Sequence, residues 1–380
     1  MRTARECGVY CGEQVLAVAL ELSSAKWRLC FGANGRSRQV TVEPGNAEEW
    51  ESAVARAKAK LGLPAAAPVE SCYEAGRDGF WIHRWLLQRD VHNVVVDSAS
   101  IEVSRRSRQA KTDRIDAEKL LALLQRWYGG DHAALRAVRV PTVEEEDWRT
   151  LHRERDTVVR QRTQCTNRLK GLLAAHGIRV QGPPSAWSGH LDALRTGDGR
   201  PLPPHLRARL ERLAGQHQQL CAALRALEGE QRQRVAEAAG RGPAPLVELL
   251  MTLKGVGLQS AWVLVYELFA WRRFANRREL AACVGVIPTP FDSGKSSREQ
   301  GISKSGSRRV RHVLIELAWS WLRHQPDSEL SQWWRQRFAD GRRSRKVGIV
   351  ALARKLLIAL WTMTENGTLP SGARMKTAAR

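Results

Sequence analysis

Short apolar runs separated by polar turns dominate the first hundred residues. Gln14–Leu22, Lys26–Gly32 and Ser37–Val42 read as three strands with short connections, which predicts a small antiparallel meander. Asn46–Leu61 carries its apolar residues at helical spacing, Pro68–Glu74 reads as a further strand, and Asp78–Leu87 as a helix. Val91–Val96 is a compact apolar strand, and a helix over roughly Thr112–Trp127 follows it.

A meander followed by alternating helices and strands is the order expected of a ribonuclease H-like α/β domain. The period then changes. Glu144–His176 has apolar residues at helical spacing (Leu151, Val158, Leu169, Leu172, Leu173) in an otherwise polar stretch. Gly177–Pro204 is rich in Gly, Pro and Ser and breaks it, and Leu206–Ala239 resumes with a leucine stripe. Two long helices joined by a break predict a helical hairpin or a coiled-coil spacer. Arg241–Pro245 reads as a linker into a compact helical domain. There Leu253–Gly257, followed by apolar Ser260–Phe269, has the form of a helix-hairpin-helix element, whose backbone N–H groups can hold a DNA phosphate. The expected architecture is therefore α/β plus α. Residues 1–140 form the α/β domain, 141–242 the spacer, 243–370 a basic helical domain, and 371–380 a basic tail.

Composition sharpens this picture through charge. The 380 residues carry a formal net charge of +22, divided as +4 over residues 1–140, +5 over 141–242 and +13 over 243–380. Such an excess calls for a polyanionic partner, and its concentration in the last third suits a domain that grips phosphates. No apolar run is read as a membrane span; stretches such as Ala261–Phe269 are too short. No secretion signal is read at Met1–Gly8. Seven scattered cysteines point to a reducing cytoplasm; Cys7 and Cys11 could share a zinc ion, but no second ligand pair follows.

Four acids are placed to do chemistry. Glu21 follows the apolar run Leu16–Leu20, where a carboxylate is costly without a cation or donor. Glu74 closes the next strand, and Asp113 and Asp116 lie three apart at a helix start, so both can face one side. Carboxylates from two strand ends and one helix can converge on two divalent metals about 3.5–4 Å apart, an arrangement that serves phosphodiester cleavage. Taken singly, each has an ordinary explanation: a helix-dipole partner for Asp113, an ion pair with Arg114 or Lys119 for Asp116, an exposed strand position for Glu21.

The blocks around these residues resemble a known family. Glu21–Trp27, Tyr73–Gly76, Val96–Ala99 and Lys111–Ala117 are similar to the one-ten insertion-sequence transposases. So are Leu253–Gly257, Phe274–Pro288, Ser293-Gly294 and Ile302–Arg311 in the second half. The resemblance implies a RuvC-type DEDD domain that holds Mg²⁺ through Glu21, Glu74, Asp113 and Asp116, with Glu21 standing where the family usually has Asp. It implies a serine nucleophile at Ser293, although Asp292-Ser293-Gly294 taken alone reads as a turn. Phosphate contacts are expected from Lys111, Lys254, Lys295, Arg298, Lys304, Arg308, Arg309 and Arg311. Trp319, Trp321, Trp333 and Trp334 are read mostly as packing residues. The partners implied are double-stranded DNA, an element-encoded guide RNA and a second copy of the chain, as homodimer or homotetramer, in the cytoplasm at a bacterial nucleoid. Two other readings stay open: a metal-dependent Holliday-junction-type nuclease that uses water, and a non-catalytic nucleic-acid-binding derivative.

Overall fold

The computed structural model describes residues 14–97, 101, 113–237, 240–293 and 296–376. Cys7 and Cys11, and the basic residues Lys111 and Lys295, lie outside them. The chain divides after Pro141 into two compact units, each described on its own.

The first unit is built on a five-stranded sheet of order β3-β2-β1-β4-β5. Strands β1 (Leu16–Leu22), β2 (Trp27–Ala33) and β3 (Arg36–Val42) form the antiparallel meander, while β4 (Val69–Glu74) and β5 (Val91–Val96) run parallel to β1. Helix α1 (Ala47–Leu61) starts where Asn46 accepts the Glu49 N–H, and it ends where Gly62 takes a left-handed conformation. Helix α2 (Trp81–Leu87) joins β4 to β5, and α3 (Asp113–Tyr128) follows β5.

Strand alternation splits the core into two layers. Leu16, Val18 and Leu20 face one way and pack with Trp27, Trp50, Tyr73, Ile82 and Leu86. Ala17, Ala19, Cys30 and Cys72 face the other way and are covered by Ala117, Leu120, Leu121 and Leu124 of α3. Small residues on this second face let the helix lie close. At Gly32 a Cβ would come within 2.7 Å of the Gln125 side-chain amide and 2.9 Å of a Leu121 methyl, so even alanine would require these α3 side chains to shift.

The second unit is mainly helical. Helix α4 (Val143–Ala174) opens with a reciprocal cap: Thr142 Oγ1 accepts the Glu145 N–H, and the Glu145 carboxylate accepts the Thr142 N–H. It pairs with α5 (Pro204–Glu237), and Leu169, Leu173, Leu210, Leu213, Trp187 and Leu191 fill the space between them. Then come α6 (Ala244–Met251), α7 (Leu258–Leu264), a π-helical turn over Val265–Phe269, and α8 (Arg277–Val284). The unit ends with α9 (Arg308–His324), α10 (Glu329–Phe338) and α11 (Arg342–Asn366). Leu151 of α4 belongs to the same hydrophobic core as Val247, Trp262, Leu314 and Leu356, so hairpin and helical domain share one interior.

Two expectations need correction. The helical domain contains a two-stranded antiparallel hairpin, β6 (Pro288–Ser293) and β7 (Ser296–Ile302). Its strands are mostly polar and carry two prolines, so they lack the apolar alternation that announces a strand. One segment, Ser344–Asn366, is also long and apolar enough to cross a membrane, contrary to the reading that no run qualifies. Leu352, Ala353, Leu356, Leu357, Leu360 and Met363 are wholly buried in the core of the unit, which accounts for its hydropathy without a bilayer.

Candidate active site

The parallel strands β1, β4 and β5 all end at one edge of the sheet, the edge where open α/β sheets present ligand crevices. Leu20 stands opposite Tyr73, so Glu21 and Glu74 are the next residues on adjacent strands. By alternation both belong to the face covered by α3, with Ala19 and Cys72 just behind them. Glu21 is half-buried and Glu74 exposed.

The direction of α3 brings its first turn to the same edge. At the far end, the Tyr128 hydroxyl donates to the buried carboxylate of Glu70, at the beginning of β4. Midway, the Cys72 thiol lies 3.8 Å from the Leu120 carbonyl, and Gln39 Nε2 donates to Glu118 at 2.8 Å. Passing two residues along β4, from Glu70 to Cys72, thus moves the contact eight residues back along α3, from Tyr128 to Leu120. The same step taken once more, from Cys72 to Glu74 and from Ala19 to Glu21, reaches the turn that contains Asp113 and Asp116. Asp113 opens the helix, and Asp116 is half-buried. Among the described residues no three His, Cys, Asp or Glu side chains are already close enough to cage a metal ion.

Two features of this edge suit a hard divalent cation. The donors are carboxylates, without histidine or thiolate among them. Asp97, immediately after β5, adds an acid at the same edge; the sequence shows it only as part of a block, with nothing to separate it from an ordinary strand end. Arg28 stands directly opposite Glu21 on β2 with a buried Nε that has no hydrogen-bond partner, and its positive charge competes with a cation for that carboxylate.

In the second unit, Ser293 is the last residue of β6 and pairs with Ser296 across a two-residue connection, so it stands at the tip of the hairpin. The root of the hairpin is fixed by two glycines. Gly285 ends α8 with φ +73°, and a Cβ there would meet the Ser305 carbonyl oxygen at 1.8 Å. Gly306, at φ +85°, comes as close to the Cys283 carbonyl, where a Cβ would fall at 2.1 Å. Backbone N–H groups of Ser303, Lys304 and Ser307 donate to Ile287, Gly285 and Cys283 across this interlock.

The expected phosphate-binding residues divide into two groups. Lys304 and Arg308 are exposed beside the start of α9, where Ser307 caps the helix. Arg309 is committed inside the unit, to Asp156 and Glu267, and Arg311 donates to the Val284 carbonyl at 2.7 Å. Arg298 lies in β7. Lys254 is in the glycine-containing loop between α6 and α7, where its own carbonyl accepts from Gln325 and Gly255 has φ +84°. Of the four tryptophans, Trp321 and Trp334 are buried, Trp333 is half-buried under Lys355, and Trp319 is exposed.

A feature that sequence reasoning missed is a buried charge cluster centred on Glu267 in the π-helical turn. His152 Nε2 lies 2.8 Å from its carboxylate, Arg153 donates two hydrogen bonds at 3.0 Å, and Arg309 approaches at 3.3 Å. Burial alone raises the Glu267 pKa, but the hydrogen bonds from His152 and Arg153, together with their charges, outweigh it and hold the group well below the usual carboxylate range.

Comparison with known proteins decides the family. A model described as the IS116/IS110/IS902 transposase family matches residues 247–332. A second, the DEDD transposase model of IS110, matches residues 38–178. The Sinorhizobium fredii protein y4rJ, which carries a transposase name, is 42% identical over 95% of this chain and 94% of its own. The chain belongs to the IS110/IS116 transposase family. The transposase of insertion sequence IS1328 from Yersinia enterocolitica is 26% identical over 68% of this chain and 73% of its own. That of IS1111A from Coxiella burnetii is 27% identical over 69% of each. The protein is thus an insertion-sequence transposase, an enzyme of DNA strand cleavage and transfer, and its DEDD domain implies dependence on a divalent metal.

Proposed function

We propose that this transposase cuts and rejoins DNA with a carboxylate-held Mg²⁺ site and a serine nucleophile. Glu21, Glu74, Asp113 and Asp116 would hold the metal. The observation that supports this reading is that β1 and β4 end side by side and that α3, which covers the same face of the sheet, runs with its first turn toward that edge. Glu21 has one more methylene than the family's usual aspartate and is the penultimate residue of β1. A metal ion bound there would supply Lewis-acid stabilisation to a phosphodiester undergoing substitution.

Ser293 is the proposed nucleophile. Its Oγ would form a bond to phosphorus as one deoxyribose oxygen departs; the hydroxyl proton is lost and the leaving oxygen gains one. The resulting phosphoserine ester conserves the bond, so rejoining needs no external energy source. A serine at the tip of a firmly rooted hairpin supports this role, because it can approach a backbone while the hairpin's base stays fixed. Exposed Lys304 and Arg308 would contact phosphates; Lys111, Lys254, Lys295 and Arg298 belong to the same proposal through their positions in the family blocks. Direction by an element-encoded guide RNA, and work as a homodimer or homotetramer, rest on the family resemblance.

The metal site is tested without activity. Purified protein in which Fe²⁺ replaces Mg²⁺ is treated with ascorbate and peroxide, so that radicals cut the chain near the bound ion. Cuts clustered near residues 21, 74 and 113, lost in Glu74→Gln, are expected. Cuts elsewhere, or unchanged in the variant, would contradict the assignment.

A further inference from the structure

The helical hairpin contains a cleft that the chemistry above does not use. It measures about 840 Å³ and lies between α4, α5 and the Gly182–Ser185 segment. Along α4, Arg155, Arg162, Thr166 and Lys170 line it. These residues recur at intervals of seven, four and four, so they form one stripe about 22 Å long at 1.5 Å per residue. Arg225 faces it from α5.

The charges of this cleft do not cancel internally. Its one acid, Glu228, is already bound by Arg155 at 2.6 Å. Arg162, Lys170 and Arg225 have no ion-pair partner among the described residues, although Arg162 and Lys170 are half-buried. A cation withdrawn partly from water without a counter-charge is unfavourable unless a ligand supplies one. Burial and the neighbouring Arg162 charge lower the pKa of His217 in the wall. Thr163 and Thr166 donate their hydroxyls to the carbonyls of Val159 and Arg162, so recognition falls on the three cations.

We infer that this cleft is a second nucleic-acid site, which takes an extended phosphodiester strand along α4 and neutralises its phosphates with Arg162, Lys170 and Arg225. An elongated stripe of cations matches a chain of regularly spaced phosphates better than it matches a compact anion. The strand can belong to DNA or to RNA, which share this backbone.

The test uses the full chain and two labelled probes, a random-sequence single-stranded DNA and the RNA of the same sequence. Affinity is followed by fluorescence anisotropy across a fourfold range of salt. The charge-removing variant Arg162→Gln/Lys170→Gln/Arg225→Gln is compared with Arg168→Gln/Arg209→Gln/Arg212→Gln, which removes equal charge from exposed hairpin positions outside the cleft. Three lost phosphate contacts lower the slope of log affinity against log salt by about 2, so the salt-driven loss shrinks roughly fifteen- to twenty-fold across that range. The cleft variant is expected to show this with at least one probe, and that probe identifies the source of the strand. The charge-keeping variant Arg162→Lys/Lys170→Arg/Arg225→Lys should retain the wild-type slope, which separates lost contacts from misfolding. An unchanged slope with both probes, an equal fall in the control variant, or a fall in the charge-keeping variant would overturn the inference.

Discussion

Replacing Glu267 by glutamine probes the charge cluster that binds α4 to the helices behind it. The substitution keeps the shape of the side chain and one accepting oxygen but removes the negative charge. His152, which is 1% exposed, and the guanidinium groups of Arg153 and Arg309 are then left facing a neutral amide. Breaking a buried ion pair typically costs about 3–5 kcal/mol. Arg153 is 46% exposed and Arg309 29%, so solvent screens much of their share. Hydrogen bonds to charged groups are worth about 1.5–3 kcal/mol each, and the glutamine oxygen retains part of that. A loss of about 2–3 kcal/mol remains, equivalent to a fall of roughly 4–12 °C in melting temperature for a unit of this size. Differential scanning fluorimetry at neutral pH measures it.

Acid adds a second arm to that prediction. The folded-state pKa of Glu267 is depressed, so its contribution is fully present above the ordinary value of 4.5 and is lost as pH falls toward the lowered one. Wild type should therefore lose up to about 1.4 kcal/mol per pH unit below that value, relative to Glu267→Gln. The two melting temperatures should converge on acidification. A neutral-pH difference below about 1 °C, or a gap that does not narrow in acid, would refute the reasoning.

Other perturbations test the remaining elements. Gly285→Ala should destabilise the second unit by more than about 3 kcal/mol, seen as lost soluble protein or an early melting step, because its Cβ would overlap the Ser305 carbonyl oxygen. Tyr128→Phe leaves the buried Glu70 carboxylate without its hydroxyl donor and should cost about 1–3 kcal/mol in chemical denaturation. Asn46→Ala should cost about 1 kcal/mol through loss of the α1 cap. Asp116→Asn should abolish metal-dependent strand cleavage while duplex binding in a gel-shift assay stays within about twofold, since the proposed metal site and the proposed phosphate contacts fall on different residues.

Much of the first unit was legible because its signals are local. The predicted Val91–Val96 strand has the observed bounds, and Asn46, read as the first residue of the α1 pattern, is the residue that caps it. Glu21 and Glu74 were readable as strand-end acids, since Glu21 follows an apolar run and Glu74 closes a strand pattern. Their adjacency was not, because the pairing of β1 with β4 is a long-range fact with no trace in either segment. The β6–β7 hairpin escaped for the opposite reason: polar strands held at their root by a glycine interlock need no alternating pattern. The Glu267 cluster was hidden because its members, His152, Arg153 and Arg309, are more than forty positions from it in sequence and meet only when the helices pack. Arg309 illustrates the cost: in sequence it is one more cation in a basic run, whereas in the fold it is tied to two acids.

The central claim, a metal-holding acid edge working with a serine nucleophile, is tested most directly by trapping a covalent protein–DNA adduct. Purified protein, element-end DNA, flanking noncoding RNA and Mg²⁺ are combined, and the products are resolved under denaturing conditions for wild type, Ser293→Ala and Asp113→Ala. An adduct present in wild type and absent from both variants is the predicted result. Metal-dependent strand cleavage without any adduct, undiminished by Ser293→Ala, would contradict the serine mechanism and leave the acids acting with water.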